Sequence, residues 1–166
     1  MSRPLFLVDR MLGRLVAWLR IFDYDTKSAL ELGLVRDEDN ELVRLAKAEG
    51  RVLLTRDLAL TERAWKAGVT AVLVRPDDVK EQICELMKQF PLETEPVMER
   101  CTACNALLRK ATEADLERIK RDAPPHLVEE GKEFWLCDRC GKIYWQGSHW
   151  RNIKKMSDEL KHCRLK

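Results

Sequence analysis

The amino-acid sequence predicts an α/β fold with a mostly parallel sheet, followed by a small cysteine-rich domain. Strand-like and helix-like segments alternate along about the first ninety residues, and several short apolar runs end on an acidic residue. Two Cys-x-x-Cys pairs lie in the last third of the chain. Alternation of this kind is typical of a parallel sheet covered by helices, whose strands are apolar on both faces.

The first domain is predicted to begin with a strand at 5–8 that ends on Asp9. A helix with apolar residues at helical spacing follows over 11–22, and a short second strand spans 24–26 with Asp25 near its end. The remaining elements are a helix from Asp37 to Ala48, a strand at 52–55 closed by Asp57, a helix at 58–67, a strand at 69–74, and a helix capped by Asp77 or Asp78 that ends at Phe90. Two prolines at 91 and 96 mark a linker, so we expect domains at 1–92 and 98–166.

The second domain is predicted to contain a helical insert at 112–121, a hairpin with strands at 133–136 and 142–145, and a basic terminal helix from about Trp150. Residues 1–96 carry 15 Lys and Arg against 17 Asp and Glu, whereas residues 97–166 carry 15 against 11, so the net charge changes from −2 to +4. An acidic half joined to a basic half suits a metal-dependent enzyme that acts on a polyanion. Ordinary surface variation is the alternative.

The composition favours a soluble protein. None of the apolar runs in the 166 residues approaches the length of a membrane span. The apolar run that ends at Val8 is too short for a signal peptide. We therefore expect a cytoplasmic location and no membrane partner.

Acidic residues are predicted to collect at the carboxyl edge of the sheet. Asp9, Asp25 and Asp57 lie at strand ends, while Asp37 and Asp39 start a helix, which lies at the same edge in a parallel sheet. Clustered carboxylates repel each other and are stabilised by a divalent cation, for which Mg²⁺ and Mn²⁺ are the natural choices. Such a cation lowers the pKa of an attacking water, which predicts phosphodiester hydrolysis. For Asp37 and Asp39, helix capping is the alternative role.

Basic side chains flank the predicted acidic site and cover the terminal helix. Arg14, Arg20 and Arg56 are candidates for contacts with phosphate groups, or for ion pairs with the acids. Lys154 and Lys155 belong to a basic helix that either binds nucleic-acid phosphates without sequence preference or forms a solvated face.

The two Cys-x-x-Cys pairs consist of Cys101, Cys104, Cys137 and Cys140. Four thiolates with this spacing predict a closed tetrahedral zinc site of structural type. A redox dithiol is the alternative, but the first pair does not follow a strand of the α/β domain, where a redox motif is expected. We expect Cys84 in a helix core and Cys163 as a free thiol near the terminus.

Four aromatic residues accompany the cysteine pairs: Trp135, Tyr144, Trp145 and Trp150. Aromatic rings of this kind stack on unpaired bases in proteins that bind single-stranded nucleic acid. The alternative is that they form the core of a domain too small to build one from aliphatic residues, and we expect this of at least half of them.

Several of these segments occur together in a known family. Asp9 with Met11-Leu12-Gly13-Arg14-Leu15, Trp18-Leu19-Arg20, Tyr24-Asp25-Thr26 and Thr55-Arg56-Asp57 resembles the PIN-like ribonuclease family named for the C-terminal domain of the mutator-seven exonuclease. The cysteine pairs with Tyr144-Trp145-x-Gly147-Ser148-His149-Trp150 resemble the zinc ribbon of that family. The resemblance covers about residues 5–150, with one departure at Asp23, where Gly is expected. It implies a PIN-like three-layer domain, catalytic acids at Asp9, at Asp37 or Asp39 and at Asp57, and homodimer formation.

The leading hypothesis is a metal-dependent ribonuclease that cleaves single-stranded or structured RNA. Asp9 and Asp57 would bind Mg²⁺ or Mn²⁺, Asp25 is a lesser candidate, and the four cysteines would bind structural Zn²⁺. A non-catalytic module that binds RNA or a ribonucleoprotein is the second hypothesis. A phospho-receiver domain is the third, although it requires a Lys after a late strand, where this chain has Val74-Arg75-Pro76.

Overall fold

The computed structural model describes residues 2–34 and 36–165. The strands are β1 (Phe6–Val8), β2 (Thr26–Ser28), β3 (Val52–Thr55), β4 (Ala71–Leu73), β5 (Arg109–Lys110), β6 (Phe134–Leu136) and β7 (Ile143–Trp145). The α-helices are α1 (Gly13–Ile21), α2 (Glu38–Glu49), α3 (Leu58–Lys66), α4 (Val79–Gln89), α5 (Leu116–Asp122), α6 (Pro125–Glu129) and α7 (Ser148–Lys161). No helix in the described part of the chain combines the length and the hydropathy that crossing a membrane requires.

The first four strands form a parallel sheet in the order β2-β1-β3-β4, as the sequence predicts. Leu7 of β1 lies opposite Lys27 on one side and Leu53 on the other. All three residues of β1 are fully buried because helices cover both faces of the sheet. The carboxyl ends of β1 and β3 therefore lie side by side at one edge.

Side chains alternate between two cores, one on each face of the sheet. The face covered by α1 and α4 includes Phe6, Val8, Leu15, Leu19, Leu54, Ile83 and Leu86. The face covered by α2 and α3 includes Leu7, Leu42, Val43, Leu53, Leu60 and Ala64. This arrangement of helix, sheet and helix confirms the predicted three-layer architecture.

The prediction for the second strand is wrong by two residues. Tyr24 is buried in the core but precedes the strand, and the strand itself has the polar sequence Thr-Lys-Ser. Asp23 has a φ of 61°, so the chain turns sharply after α1 before it enters β2. Asp25 consequently lies at the amino end of β2, and its carbonyl accepts a hydrogen bond from the amide of Phe6 at 2.9 Å.

The second part of the chain forms an antiparallel sheet in the order β5-β6-β7. The predicted hairpin is confirmed, with Trp135 of β6 opposite Tyr144 of β7. The helix of the predicted insert, α5, ends at Asp122, just before Pro124 and Pro125, and a second short helix, α6, begins at Pro125. Proline is tolerated in the first helical position because the amide there has no helical partner.

The terminal helix α7 packs back onto the first domain. Leu160 is fully buried in the core under α4, and Lys80 forms an ion pair with Glu159 at 3.1 Å. Cys84 and Cys163 form a disulfide between residues 79 positions apart, with their Cα atoms at 5.5 Å. The prediction of a free Cys163 is therefore wrong, because the fold of α7 onto α4 brings the two cysteines together.

Candidate active site and metal centre

Asp9 and Asp57 follow the adjacent strands β1 and β3 and lie at the carboxyl edge of the sheet. The buried side chain of Thr55 connects them. Its hydroxyl donates a hydrogen bond to Asp9 Oδ2 at 2.7 Å and accepts one from the amide of Asp57 at 3.0 Å. Sequence reasoning did not assign this role to Thr55, although the residue stands two positions before Asp57. The hydroxyl fixes the spacing and orientation of both acidic segments.

Both acids also serve as helix caps. Asp9 Oδ1 accepts from the amide of Arg10 at 2.7 Å, and Asp57 Oδ1 accepts from the amide of Leu60 at 3.2 Å. A carboxylate offers about four lone-pair directions, so one or two hydrogen bonds leave it able to bind a cation. Capping and cation binding are therefore compatible at these two positions.

Asp39 and Asp37 occupy different environments at the start of α2. The pKa of Asp39 is raised, chiefly by partial burial and also by the negative charges of Asp57, Asp9 and Glu38, while Arg63 acts in the opposite direction. These mutual effects place Asp39 in the electrostatic field of the two strand-end acids.

Asp37 makes a local contact at the start of α2. It is exposed, has a φ of 51°, and accepts hydrogen bonds from the side-chain amide of Asn40 at 2.8 Å on both oxygens. Of the two positions that the sequence left open, Asp39 is the one whose charge interacts with Asp9 and Asp57. Glu38, which the sequence analysis did not single out, lies at the same edge and pairs with Arg10 at 2.7 Å.

The acids do not form a closed ligand set. Within the described residues, the cysteine cluster is the one group of three or more such side chains close enough together to hold a metal ion. The carboxylates at the carboxyl edge are more widely spaced. Mg²⁺ usually keeps several waters and binds proteins through one or two carboxylates together with substrate phosphates. An open acidic site of this type fits such a cation once substrate is present.

Asp25 lies at the opposite edge of the sheet, so the prediction that it joins the other acids is wrong. Its Oδ1 accepts hydrogen bonds from Arg51 Nη1 and from Asn105 Nδ2, both at 2.8 Å. Burial alone would raise the pKa of Asp25, but these two hydrogen bonds, together with the positive charges of Arg51 and Arg100, outweigh it and lower the pKa. Asp25 thus connects the first domain to the cysteine-rich one.

Arg20 is also unavailable for phosphate, because its side chain is 1% exposed. The guanidinium forms a two-point contact with Glu31 at 2.8 and 2.6 Å and donates to the carbonyl of Thr26. It also donates to the carbonyl of Thr102, beside the first cysteine pair, at 2.9 Å. The prediction of a nucleic-acid contact at Arg20 is corrected to a structural role between the domains.

The other predicted basic contacts lie at the surface. Arg14 and Arg56 line a cavity of about 320 Å³ close to the carboxyl edge. Arg56 pairs with Asp77 at 2.6 Å, whereas Arg14 is exposed and has no ion-pair partner in the described part of the chain. Lys154 and Lys155 are exposed on α7 and likewise have no ion pair there. All four remain candidates for phosphate contacts.

The four predicted metal-binding cysteines are brought together, with their sulfur atoms all within 4.8 Å of one another. The Sγ atoms of Cys101 and Cys140 are 3.6 Å apart, and those of Cys104 and Cys137 are 3.4 Å apart. A tetrahedral zinc ion with bonds of about 2.3 Å requires sulfur separations of about 3.8 Å. The cluster therefore has the ligand type, number and spacing to hold a metal ion such as zinc.

The two cysteine pairs are held in matching turns. The amide of Asn105 donates to the carbonyl of Cys101, and the amide of Gly141 donates to that of Cys137, both at 2.9 Å. Asn105 and Gly141 have φ values of 72° and 82°, and Asn and Gly are the residue types that best tolerate this left-handed backbone conformation. Burial raises the pKa of the Cys101 thiol, but hydrogen bonds led by the Tyr144 hydroxyl lower it to about 7. At Cys101 the local structure thus favours the thiolate form that metal binding requires. Burial raises the pKa of Cys104 to about 12 and also raises that of Cys140, so these two thiols favour the protonated form without a metal.

The cysteine-rich domain docks at the amino edge of the parallel sheet. Asn105 Oδ1 accepts from the amide of Thr26 at 2.9 Å, next to the Asn105 contact with Asp25. The acids at the carboxyl edge and the cysteine cluster consequently lie on opposite sides of a sheet whose strands are only three or four residues long. That length corresponds to roughly 10–14 Å.

Comparison with known protein families connects these two features. A model of the Mut7-C RNAse domain family matches residues 4–157, a range that contains the acids of the carboxyl edge and the four cysteines. No curated protein and no solved structure matches the chain. The family match points to nuclease activity at the level of the family and confirms the resemblance seen in the sequence. This chain belongs to the Mut7-C RNAse domain family.

Proposed function

We propose that this protein is a metal-dependent ribonuclease whose catalytic acids are Asp9, Asp39 and Asp57. The observation that carries the proposal is the link through Thr55, which holds the acids of two adjacent strands together at one edge. Asp39 is the third carboxylate of the proposed site. Its pKa is raised by partial burial and by its acidic neighbours, which supports a position close to them. The family match supports RNA as the substrate.

Asp9 and Asp57 would hold Mg²⁺ or Mn²⁺, with Asp39 on the facing helix. The cation, when bound, supplies an acidified water and charge stabilisation for phosphodiester hydrolysis. The chain itself supplies orientation, because Thr55 fixes Asp9 and the cap bonds fix Asp57. Arg14 would bind a phosphate of the substrate next to the acids, since it is exposed beside the cavity at the start of α1.

The cysteine-rich domain is proposed to be a structural zinc ribbon that aids RNA binding. Its matched turns and four sulfur atoms suit zinc, and Lys154 and Lys155 give α7 an exposed basic face. Single-stranded and structured RNA are both proposed substrates. A homodimer and a cytoplasmic location belong to the proposal on the strength of the sequence alone.

The test is incubation of the zinc-loaded protein with end-labelled single-stranded and hairpin RNA, with Mg²⁺, with Mn²⁺ and without either. Cleavage is expected only with added cation, and it is expected to vanish in Asp9→Asn and Asp57→Asn. Asp78→Asn is the matched control, because Asp78 caps α4 through the amide of Glu81 at 3.1 Å without belonging to the acidic site. Undiminished cleavage by both Asp9→Asn and Asp57→Asn would refute the assignment.

A second candidate function is RNA binding without catalysis. It is favoured by the open spacing of the acids, two of which already serve as helix caps. RNA binding that persists with no cleavage under either cation would support this alternative over the nuclease.

A further inference from the structure

A pocket of about 300 Å³ lies at the junction of the two domains, away from the acidic edge. Its floor consists of Ile21, at the end of α1, together with Val97 and Met98 of the linker. Its walls are formed by β7 and by the first turns of α7, with Ile143, Tyr144, Trp145, His149, Trp150 and Ile153. The nuclease proposal leaves this pocket without a role.

The walls of the pocket are fixed before any ligand arrives. The Tyr144 hydroxyl lies 2.9 Å from Cys101 Sγ and 3.2 Å from Thr102 Oγ1, so the metal-binding turn holds this ring in place. The amide of Val97 donates to the carbonyl of Ile21 at 3.2 Å, which ties the linker to α1. A rigid pocket loses little conformational freedom on binding.

The lining of the pocket combines aromatic surface with positive charge. Lys142 lies over the Tyr144 ring at 5.5 Å from its centroid, and His149 is exposed at the rim. Among the described residues that line the pocket, none is acidic. Within the described part of the chain the indole N–H of Trp150 donates no hydrogen bond, whereas the indole nitrogen of Trp145 packs closely against Gly147.

We propose that this pocket binds one unpaired nucleobase of an RNA strand. A base offers a flat apolar face for Tyr144 and Trp150, a polar edge for the indole N–H of Trp150, and adjoining phosphates for Lys142. The volume is at the lower end of the range for ligand pockets, which suits one or two fused rings. The inference rests on RNA being the proposed substrate. An aliphatic side chain of a protein partner would offer no anionic group to Lys142, whereas RNA offers its phosphates.

The pocket and the acidic site lie at opposite edges of the sheet, and this separation limits which RNA can occupy both. The pocket opens beside Ile21 and the linker, at the amino edge of the sheet, whereas Asp9 and Asp57 lie at the carboxyl edge. A strand held at both places must have an unpaired base several nucleotides from the bond that is cut. The pocket therefore selects RNA with a single-stranded stretch on one side of the cleavage site.

The test uses full-length, zinc-loaded protein without added Mg²⁺ or Mn²⁺, so that binding is measured in the absence of cleavage. The probes are a single-stranded RNA oligonucleotide and an abasic oligonucleotide of the same length. We expect Trp150→Ala to weaken RNA binding about 5- to 150-fold, the range for loss of one base–aromatic stack, and to leave abasic binding unchanged. Trp150→Phe is expected to restore most of the affinity.

Trp65→Ala is the matched control. Trp65 lies on α3 and is 55% exposed, whereas Trp150 is half-buried, so non-specific stacking on exposed rings would appear at Trp65 first. A second readout does not depend on any variant, because 5-iodouridine RNA is cross-linked to the wild-type protein by light and the adducts are mapped. We expect adducts at Tyr144, Trp145 or Trp150.

Adducts confined to other regions, or equal affinity for RNA and the abasic probe, would overturn the pocket assignment and leave a protein side chain as the better occupant. The readouts are independent of cleavage. A base-dependent affinity that requires Trp150 supports the pocket even if the nuclease assay fails. Metal-dependent cleavage with no effect of Trp150→Ala refutes the pocket alone.

Discussion

Replacement of Asp25 by Ala distinguishes a structural acid from a catalytic one. The carboxylate accepts two hydrogen bonds at 2.8 Å, one from Arg51, whose side chain is 6% exposed, and one from Asn105 of the cysteine-rich domain. Hydrogen bonds to charged groups contribute about 1.5–3 kcal/mol each. The side chain of Asp25 is 32% exposed, and Arg51 keeps a second partner in Glu49 at 2.5 Å, so the sum must be discounted for solvent screening.

We therefore expect Asp25→Ala to lower the free energy of unfolding by about 2–3 kcal/mol. For a chain of this length, that corresponds to a drop of about 5–10 °C in Tm. Urea titrations followed by circular dichroism measure the difference, with Asp122→Ala as a control. Among the described residues, Asp122 forms an ion pair with its exposed neighbour Arg121 alone, and its loss is expected to leave the transition unchanged.

The effect has a defined pH dependence. The pKa of Asp25 is lowered in the folded protein, so the ionised form is favoured there. Its contribution is complete above the ordinary aspartate pKa of about 3.9 and is lost as the pH falls through the lowered pKa. The wild type and Asp25→Ala should thus converge in stability below about pH 4. An Asp25→Ala protein with wild-type stability and no RNA cleavage would refute the structural role.

Three further predictions concern the rest of the molecule. Chelation of the metal at the four-cysteine cluster should lower the Tm and weaken RNA binding, while metal analysis of the untreated protein should give one ion per chain; an unchanged Tm would contradict this. Cys163→Ser should lower the free energy of unfolding by about 2–4 kcal/mol, because the disulfide closes a long loop. The stability of this variant should no longer depend on reductant. A variant as stable as the oxidised wild type would contradict this. Arg20→Ala should lower the free energy of unfolding by about 2–3 kcal/mol, because the buried carbonyl of Thr26 and the partly buried carbonyl of Thr102 lose their donor. Glu31 is 41% exposed and can be solvated instead. Arg14→Ala should weaken RNA binding with little loss of stability; urea titrations and filter binding separate the two variants, and the reverse pattern would contradict their assignment.

The sequence predicted the features that depend on local pattern. The apolar runs at β1 and β3 predicted a parallel sheet, and the acids that follow them predicted that Asp9 and Asp57 would share an edge. The spacing within each Cys-x-x-Cys pair predicted the four-sulfur cluster. In each case the residues that carry the signal are adjacent or a few positions apart.

Features that depend on distant partners were missed. β2 is the edge strand of the sheet and is polar, so the apolar Tyr24 shifted the predicted strand and placed Asp25 at the wrong end. The partners of the buried Arg20 include Thr102, which is 82 residues away along the chain. Such pairings follow from how the domains dock, and a single sequence contains no periodic signal for them.

The role of Thr55 was missed for a related reason. Thr55 is the last residue of an apolar strand, where a β-branched residue is expected on propensity alone. Its hydroxyl acquires a role only because β1 and β3 are neighbours and bring Asp9 within 2.7 Å. A polar residue that ends a buried strand beside an acid is the signal that would have identified it.

The most direct measurement is the rate of RNA cleavage against Mn²⁺ concentration for the wild type, Asp9→Asn and Asp25→Asn. Loss of a partner of a metal ligand already costs about 10- to 100-fold, so loss of the ligand itself at Asp9 should lower the rate by about 100-fold or more. Asp25→Asn should cleave at a rate close to that of the wild type, because Asp25 lies at the opposite edge of the sheet. Cleavage that survives in Asp9→Asn, or that disappears in a folded Asp25→Asn, would contradict a catalytic site at the carboxyl edge.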